Sequence, residues 1–420
     1  MSIQVTQLDN GLRVASDRVV GAGTASIGLW LDRGSRHESA AQNGLAHMLE
    51  HMVFKGTERR SARQIAEVLE NVGGQLNAYT SRETTAYYAR VLSEDRALAV
   101  DVLTDLATRA QLPIEALEIE RQIILSELGE LFDTPDDLVF EHFQATAFPD
   151  QGLGRSVLGR PDVLKAASAE ELQQFYSWLQ NPEGLVLVGA GEVEHDLLVE
   201  VAACELGHLH RRERRVFPKP VYRGGIQLSE RPLEQLHLVM GFEGADLKSD
   251  AFYVQSLLAT LLGGGTASRL FQELREQRGL AYSLGSFLSA YSDAGLFTIY
   301  ASISPDDAPQ LFEALGQVLD DLASGIQEAE LIRARSQLKA AMLMAQESSF
   351  TRAETLAGQL LVLGHPLSVQ AVSERLDAVS RDALVTALNE LRRTPVSVAA
   401  LGPLHAMPDE AQLRAALERP

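Results

Sequence analysis

The chain has 420 residues, 45% hydrophobic, 22% charged and 6% aromatic, which is enough apolar sequence for two buried cores or more. A formal charge of −20 argues against non-specific nucleic-acid binding and fits neutral or basic partners. The one cysteine, Cys204, excludes an internal disulfide framework and a thiolate zinc cluster, and no apolar run is long enough to span a membrane.

Residues 1–17 lack the basic and apolar regions of a secretory signal, so a cytoplasmic protein is expected, although a processed mature form would look the same. Residues 24–31 read as the first strand. Next comes a helix over residues 44–55, with Asn43 as N-cap and Gly56 just past its end. Leu45, Met48, Leu49, Met52 and Val53 form its apolar stripe. At roughly 100° per residue, His47, Glu50 and His51 fall together on the opposite side.

Two imidazoles one helical turn apart are within reach of one ion. Two neutral histidines and a carboxylate hold zinc and leave a fourth position for water, whose pKa falls to about 7. A second carboxylate then serves as general base. Most such histidine pairs bind nothing, so a third ligand decides the matter.

Residues 76–92 read as paired strands around Ser81 and Arg82, and residues 97–109 as a helix. The acidic helix that follows starts near Pro113 and carries Glu115, Glu118, Glu120, Glu127 and Glu130. Glu120 and Glu127 share a face with Ile124 and Leu131, and spacing leaves open which of them binds the metal. A strand over 184–189 closes this half. The basic, proline-bearing stretch that follows marks a boundary and reads as a solvated linker.

The second half repeats the first. Tyr88-Ala89-Arg90-Val91 resembles Tyr300-Ala301-Ser302-Ile303, and Leu158-Gly159-Arg160-Pro161 resembles Leu363-Gly364-His365-Pro366. The helix over 97–109 has a counterpart over 308–322, and the strand over 184–189 one over 396–402, all in the same order. Residues 236–242 read as the opening strand of this half. Gly263-Gly264-Gly265-Thr266 lacks the Gly-Lys-Ser/Thr continuation of a phosphate loop and reads as a turn. The expectation is an α+β fold of two homologous α/β-layered domains, 1–212 and 223–420, joined by a linker at 213–222. Each would have a mostly antiparallel or mixed sheet with helices on one face.

The run from Gly44 to Thr57, with Glu120-Arg121-Gln122-Ile123-Ile124-Leu125-Ser126-Glu127, resembles the pitrilysin/insulinase peptidases, the inverzincins with an H-x-x-E-H motif. Within them the chain is most similar to the β-subunit-like branch of mitochondrial processing peptidase and its bacterial relatives. The resemblance extends from Leu8-Asp9-Asn10-Gly11-Leu12 to Ala400-Leu401-Gly402.

That resemblance implies a zinc metalloendopeptidase with one Zn2+ per chain, held by His47, His51 and Glu127, with Glu50 as general base. Glu120 then matches an acidic residue that orients a ligand. Asn77, Ala78 and Tyr79, with Thr80 after them, match an edge strand on which an extended peptide is laid. Arg275 and Tyr282 match a pair that holds the substrate backbone and helps to stabilise the oxyanion. Asp137 and Glu141 match acids that recognise an arginine before the cleavage site; solvent-facing helix acids are an equal reading. The resemblance further implies a homodimer with each site completed in trans; from the charge and the lack of a long apolar run, no nucleic-acid partner and no membrane are expected. A non-catalytic or partner-dependent subunit sits poorly with the intact motif. An S-ribosylhomocysteine-lyase-like metal enzyme sits poorly with the length and the duplication.

Overall fold

The computed structural model describes residues 2–212 and 215–419, so Glu213 and Arg214 of the expected linker lie outside the described residues. The chain divides into two compact units. Residues 1–129, 155–218 and 344–367 form the first, and residues 130–154, 219–343 and 368–420 the second.

The first unit is built on six strands: β1 (Ser2–Gln7), β2 (Arg13–Arg18), β3 (Thr24–Leu31), β4 (Gln75–Thr80), β5 (Thr85–Leu92) and β6 (Leu185–Gly191). Their order is β1-β2-β6-β3-β5-β4, with β2 and β6 parallel and the other neighbours antiparallel. The inner strands β3 and β6 are buried on both faces, which is why they read as near-continuous apolar runs. Alternation sends Ile27, Leu29, Tyr87 and Leu187 to one face, into a core shared with several helices. Those helices are α1 (Leu45–Met52), α2 (Ala62–Glu70), α3 (Arg96–Arg109), α4 (Ile114–Asp133), and, beyond α5 (Pro135–Ala147), α6 (Pro161–Ala166), α7 (Ala169–Leu179) and α8 (His195–Leu206).

The second unit has strands β7 (Gly225–Glu230), β8 (Leu236–Glu243), β9 (Ala281–Ala290), β10 (Gly295–Ile303) and β11 (Ser397–Gly402), in the order β7-β11-β8-β10-β9. Read against β2-β6-β3-β5-β4, this is the same sheet again, including one parallel pair, β7 with β11. The repeated Tyr88 and Tyr300 segments lie on the corresponding strands β5 and β10. Its helices are α9 (Ala251–Gly263), α10 (Ala308–Ser324), most of α11 (Glu328–Ala345), and, beyond α12 (Ser349–Leu363), α13 (Val369–Ala378), α14 (Arg381–Leu391) and α15 (Glu410–Leu417).

Two features depart from expectation. The sheets are mixed and most helices lie on one face, but the other face is covered as well. In the first unit, Ala15, Trp30, Ala86, Val186, Val188 and Ala190 pack against Ala353, Leu356, Ala357 and Leu360 of α12. In the second, Val239, Leu296, Ala399 and Leu401 pack against Leu138, Val139, Phe143 and Ala147 of α5. The compact units also differ from the expected division into 1–212 and 223–420. The duplicated halves exchange equivalent helices, because each sheet buries its second apolar face against a helix of the other half. Among the described residues, no helix is long and apolar enough to cross a membrane.

Candidate metal centre

The centre is built on α1, which begins where Gly44 turns the chain with φ 104°, a left-handed conformation suited to glycine. A side chain there would also meet Leu164 Cδ2 at 2.8 Å and the Cα of Gly159 at 2.9 Å. Asn43 does not cap the helix. The Glu38 carboxylate does, accepting from the N–H groups of Gly44 at 2.9 Å and Ala46 at 2.6 Å. Asn43 supports that cap, donating from Nδ2 to Glu38 Oε2 at 3.1 Å and to the Ser156 carbonyl at 3.0 Å. Burial pushes Glu38 up to about 7, against the pull of the Ala46 and Gly44 amides, Asn43 and Arg155. The α-helix ends at Met52, earlier than expected, and Val53–Lys55 continues as a 3-10 turn.

Leu45, Ala46, Met48, Leu49 and Met52 face the core, which leaves His47, Glu50 and His51 together on the other side. The two imidazole centroids are 4.7 Å apart, with planes at 72°. Glu127, from α4, brings its Oε2 to 3.8 Å from His47 Nε2 and 3.7 Å from His51 Nε2. These three side chains form the single group of potential metal ligands among the described residues. The separations are too long for hydrogen bonds. They lie close to the roughly 3.3–3.5 Å between two donors bonded tetrahedrally to one ion at about 2.0–2.2 Å.

The donor set therefore fits zinc. Burial, with the neighbouring His51, lowers His47 to about 4, so its imidazole is neutral at ordinary pH, the form that donates to a metal. Glu120 Oε2 meets His51 Nδ1 at 3.0 Å, an outer contact that assigns the other nitrogen, Nε2, to the ligand side. Spacing had left Glu120 and Glu127 equivalent; the fold separates them, with Glu120 behind His51 and Glu127 in front of both imidazoles. Glu50 is the carboxylate left over. Burial raises its pKa, while hydrogen bonds from the side chain and backbone of Thr80 pull it down. Its Oε2 is buried without a hydrogen-bond partner on the protein.

Thr80 ends β4, so the general-base candidate touches the edge strand of the sheet. On that strand Asn77 is exposed, and its Oδ1 accepts from the Ala78 N–H at 2.8 Å. Tyr79 turns inward, its hydroxyl accepting from Trp30 Nε1 at 3.2 Å. Any contact from Tyr79 to a peptide would therefore be through its backbone. A cleft of about 850 Å³ runs beside the strand, lined by Phe54, Lys55, Leu69, Asn77, Tyr88 and Phe350 among others.

The second unit holds the remaining candidates. Arg275 lies on a π-helical turn, Phe271–Gln277, with its guanidinium carbon 4.6 Å from the Phe271 ring centre and 4.9 Å from that of Tyr282. Tyr282 is 79% exposed, so the two are brought together on an accessible surface. Asp137 and Glu141 lie on α5, the first exposed and the second partly buried. Sequence reasoning missed Glu38 as the cap, the contact of Thr80 with Glu50 and that of Lys55 with Glu120. Each acts through tertiary contact, and no local pattern marks it.

Comparison with known proteins adds independent findings. Residues 13–161 match the family described as Insulinase (Peptidase family M16), and residues 166–338 match Peptidase M16 inactive domain. A Rickettsia felis protein named as an uncharacterized zinc protease is 36% identical over 403 residues, covering 96% of this chain and 98% of that one. The mitochondrial-processing peptidase subunit beta of Saccharomyces cerevisiae is 34% identical over 427 residues, covering 97% and 92%. In fold, the chain is similar to the crystal structure of a protease from Helicobacter pylori, with a TM-score of 0.87 at 22% identity over 96% of this chain and 99% of that one.

Proposed function

The chain belongs to the insulinase family of M16 peptidases, and from that premise we propose that it is a zinc endopeptidase acting on unfolded peptides or presequence-like segments. The observation that carries this reading is the convergence of His47, His51 and Glu127, with Glu120 on the back of His51 and the Glu50 carboxylate on the same side of the helix as the two imidazoles.

Zinc held by His47, His51 and Glu127, one per chain, would supply Lewis acidity and lower the pKa of water to about 7. Glu50 accepts the proton of the attacking water and returns it to the leaving amine; its raised pKa suits a group that must both take and give. The peptide lies extended along β4, pairing with the backbone of residues 77–79. Arg275 and Tyr282 offer donors for the substrate backbone and for the charge that develops on the carbonyl oxygen. Asp137 and Glu141 favour a basic residue before the cut.

The chain carries both the zinc set and the Arg275/Tyr282 pair, so we read it as a homodimer in which one subunit's pair completes the other's centre. A second reading, a pairing with a different subunit, draws on the name of the yeast relative, a subunit.

The test is Glu50→Gln. The variant keeps its zinc and loses on the order of 10²–10⁴ in kcat on a mixed peptide library, the usual share of a general base. A chelator abolishes the parent's activity and zinc restores it. Full activity in Glu50→Gln would sink the mechanism.

A further inference from the structure

Lys55 is the last residue of the 3-10 turn that ends the metal helix. Its Nζ is 2.6 Å from Oε1 of Glu120, the other oxygen of that carboxylate is 3.0 Å from His51 Nδ1, and His51 Nε2 faces Glu127 at 3.7 Å. Four side chains thus stand in line from the rim to the ligand cluster. The Glu120 side chain is 5% exposed and that of Lys55 31%, so the ammonium serves a buried acceptor while remaining in touch with solvent.

We propose that Lys55 is a positioning residue for the metal centre, holding the Glu120 carboxylate in the orientation that fixes His51. This rests on the zinc reading above and goes beyond it. A carboxylate has two oxygens and free rotation, and one hydrogen bond to an imidazole does not set its plane. The second contact, from Lys55, does. Without it, Oε1 is a buried acceptor lacking its partner, and the carboxylate turns to find another. His51 Nδ1 then loses a fixed acceptor, and with it the tautomer and ring angle that aim Nε2 at the shared point with His47 and Glu127. The charges also favour a cation here. Glu50, Glu120 and Glu127 all surround the two imidazoles, and Lys55 brings the opposite sign to the innermost of them. Lys55 also lines the cleft along β4, so substitutions there are read by metal binding rather than by turnover alone.

The experiment compares the full-length parent with Lys55→Met, Lys55→Arg, Glu120→Gln and the double variant Lys55→Met/Glu120→Gln. Zinc affinity is measured by competition with a chromophoric chelator. Lys55→Met is expected to bind zinc about 10–100-fold more weakly, the usual cost of losing an outer-shell partner. Lys55→Arg recovers most of that, and the double variant is no weaker than Glu120→Gln, because Lys55 acts through Glu120. Zinc affinity of Lys55→Met within twofold of the parent overturns the proposal, as does an additive loss in the double variant. If metal-free Lys55→Met fails to fold, the other single variants decide. Lys55→Arg must then stay near the parent while Glu120→Gln weakens, and the reverse overturns the proposal. A parent that takes up no zinc sinks the functional reading and this proposal together; an unaffected Lys55→Met sinks this proposal alone.

Discussion

Replacing Glu38 by glutamine removes the titrating group that caps the helix carrying His47 and His51, and changes little in shape. Glu38 is 4% exposed, and burial shifts its carboxyl from 4.5 to about 7. Between those two values the folded chain binds more protons than the unfolded chain. The contribution of Glu38 to stability is therefore fully present below pH 4.5 and is lost as pH rises through 7. The difference between 4.5 and about 7 corresponds to about 3 kcal/mol. The amide of Glu38→Gln does not titrate, so the stability difference between parent and variant should move by that amount, in the parent's favour, from pH 8 to pH 4.5. Both tryptophans, Trp30 and Trp178, lie in the first unit, so urea unfolding of metal-free protein followed by tryptophan emission reports that unit alone. A difference that stays constant within about 0.5 kcal/mol over this range would show that the Glu38 carboxyl does not titrate as a buried acid, and the reasoning would fail.

Gly44→Ala meets both a left-handed φ and two close neighbours, and should cost about 2–4 kcal/mol. Gly73→Ala meets only the first, because nothing lies within 4 Å of the added carbon, and should cost about 1–2 kcal/mol. Equal losses in the same fluorescence-monitored unfolding would refute the packing account. For the assembly, Glu50→Gln mixed with Arg275→Ala should regain peptidase activity once subunits exchange, because one site of each mixed dimer is then intact. No recovery despite exchange, followed by a mass-labelled subunit, counts against completion in trans.

The helical spacing of His47, Glu50 and His51 was legible, because the side chains that form a helix's surface are set by its periodicity. The duplication was legible for a related reason: two of the matched pairs, Tyr88–Val91 with Tyr300–Ile303 and the strand over 184–189 with that over 396–402, fall on strands that occupy the same places in the five-strand order the two sheets share. Glu127 and Glu120 shared one helix face in the sequence, and the resemblance to the family separated them; in the structure, the placement of α4 across α1 does so physically. The cap was misread because Asn43 has the right chemistry next to the helix, whereas Glu38 reaches the same N–H groups from a preceding turn. The exchange of α5 and α12 left no trace in local pattern. An amphipathic helix records that it has a partner and does not record which sheet that is.

The exchanged helix sets a clock on the protein's synthesis. The last strand of the first sheet ends at Gly191, and the helix that covers its Trp30 face ends at Leu363, 172 residues later. At about 5–20 residues per second, the ribosome leaves that apolar face bare for roughly 10–30 s. The nascent chain therefore carries a nearly finished sheet with an open hydrophobic side through much of its translation, a window in which a chaperone or a wrong neighbour can bind. The half that bears His47, His51 and Glu127 is made first, and it is completed only when most of the other half has been made.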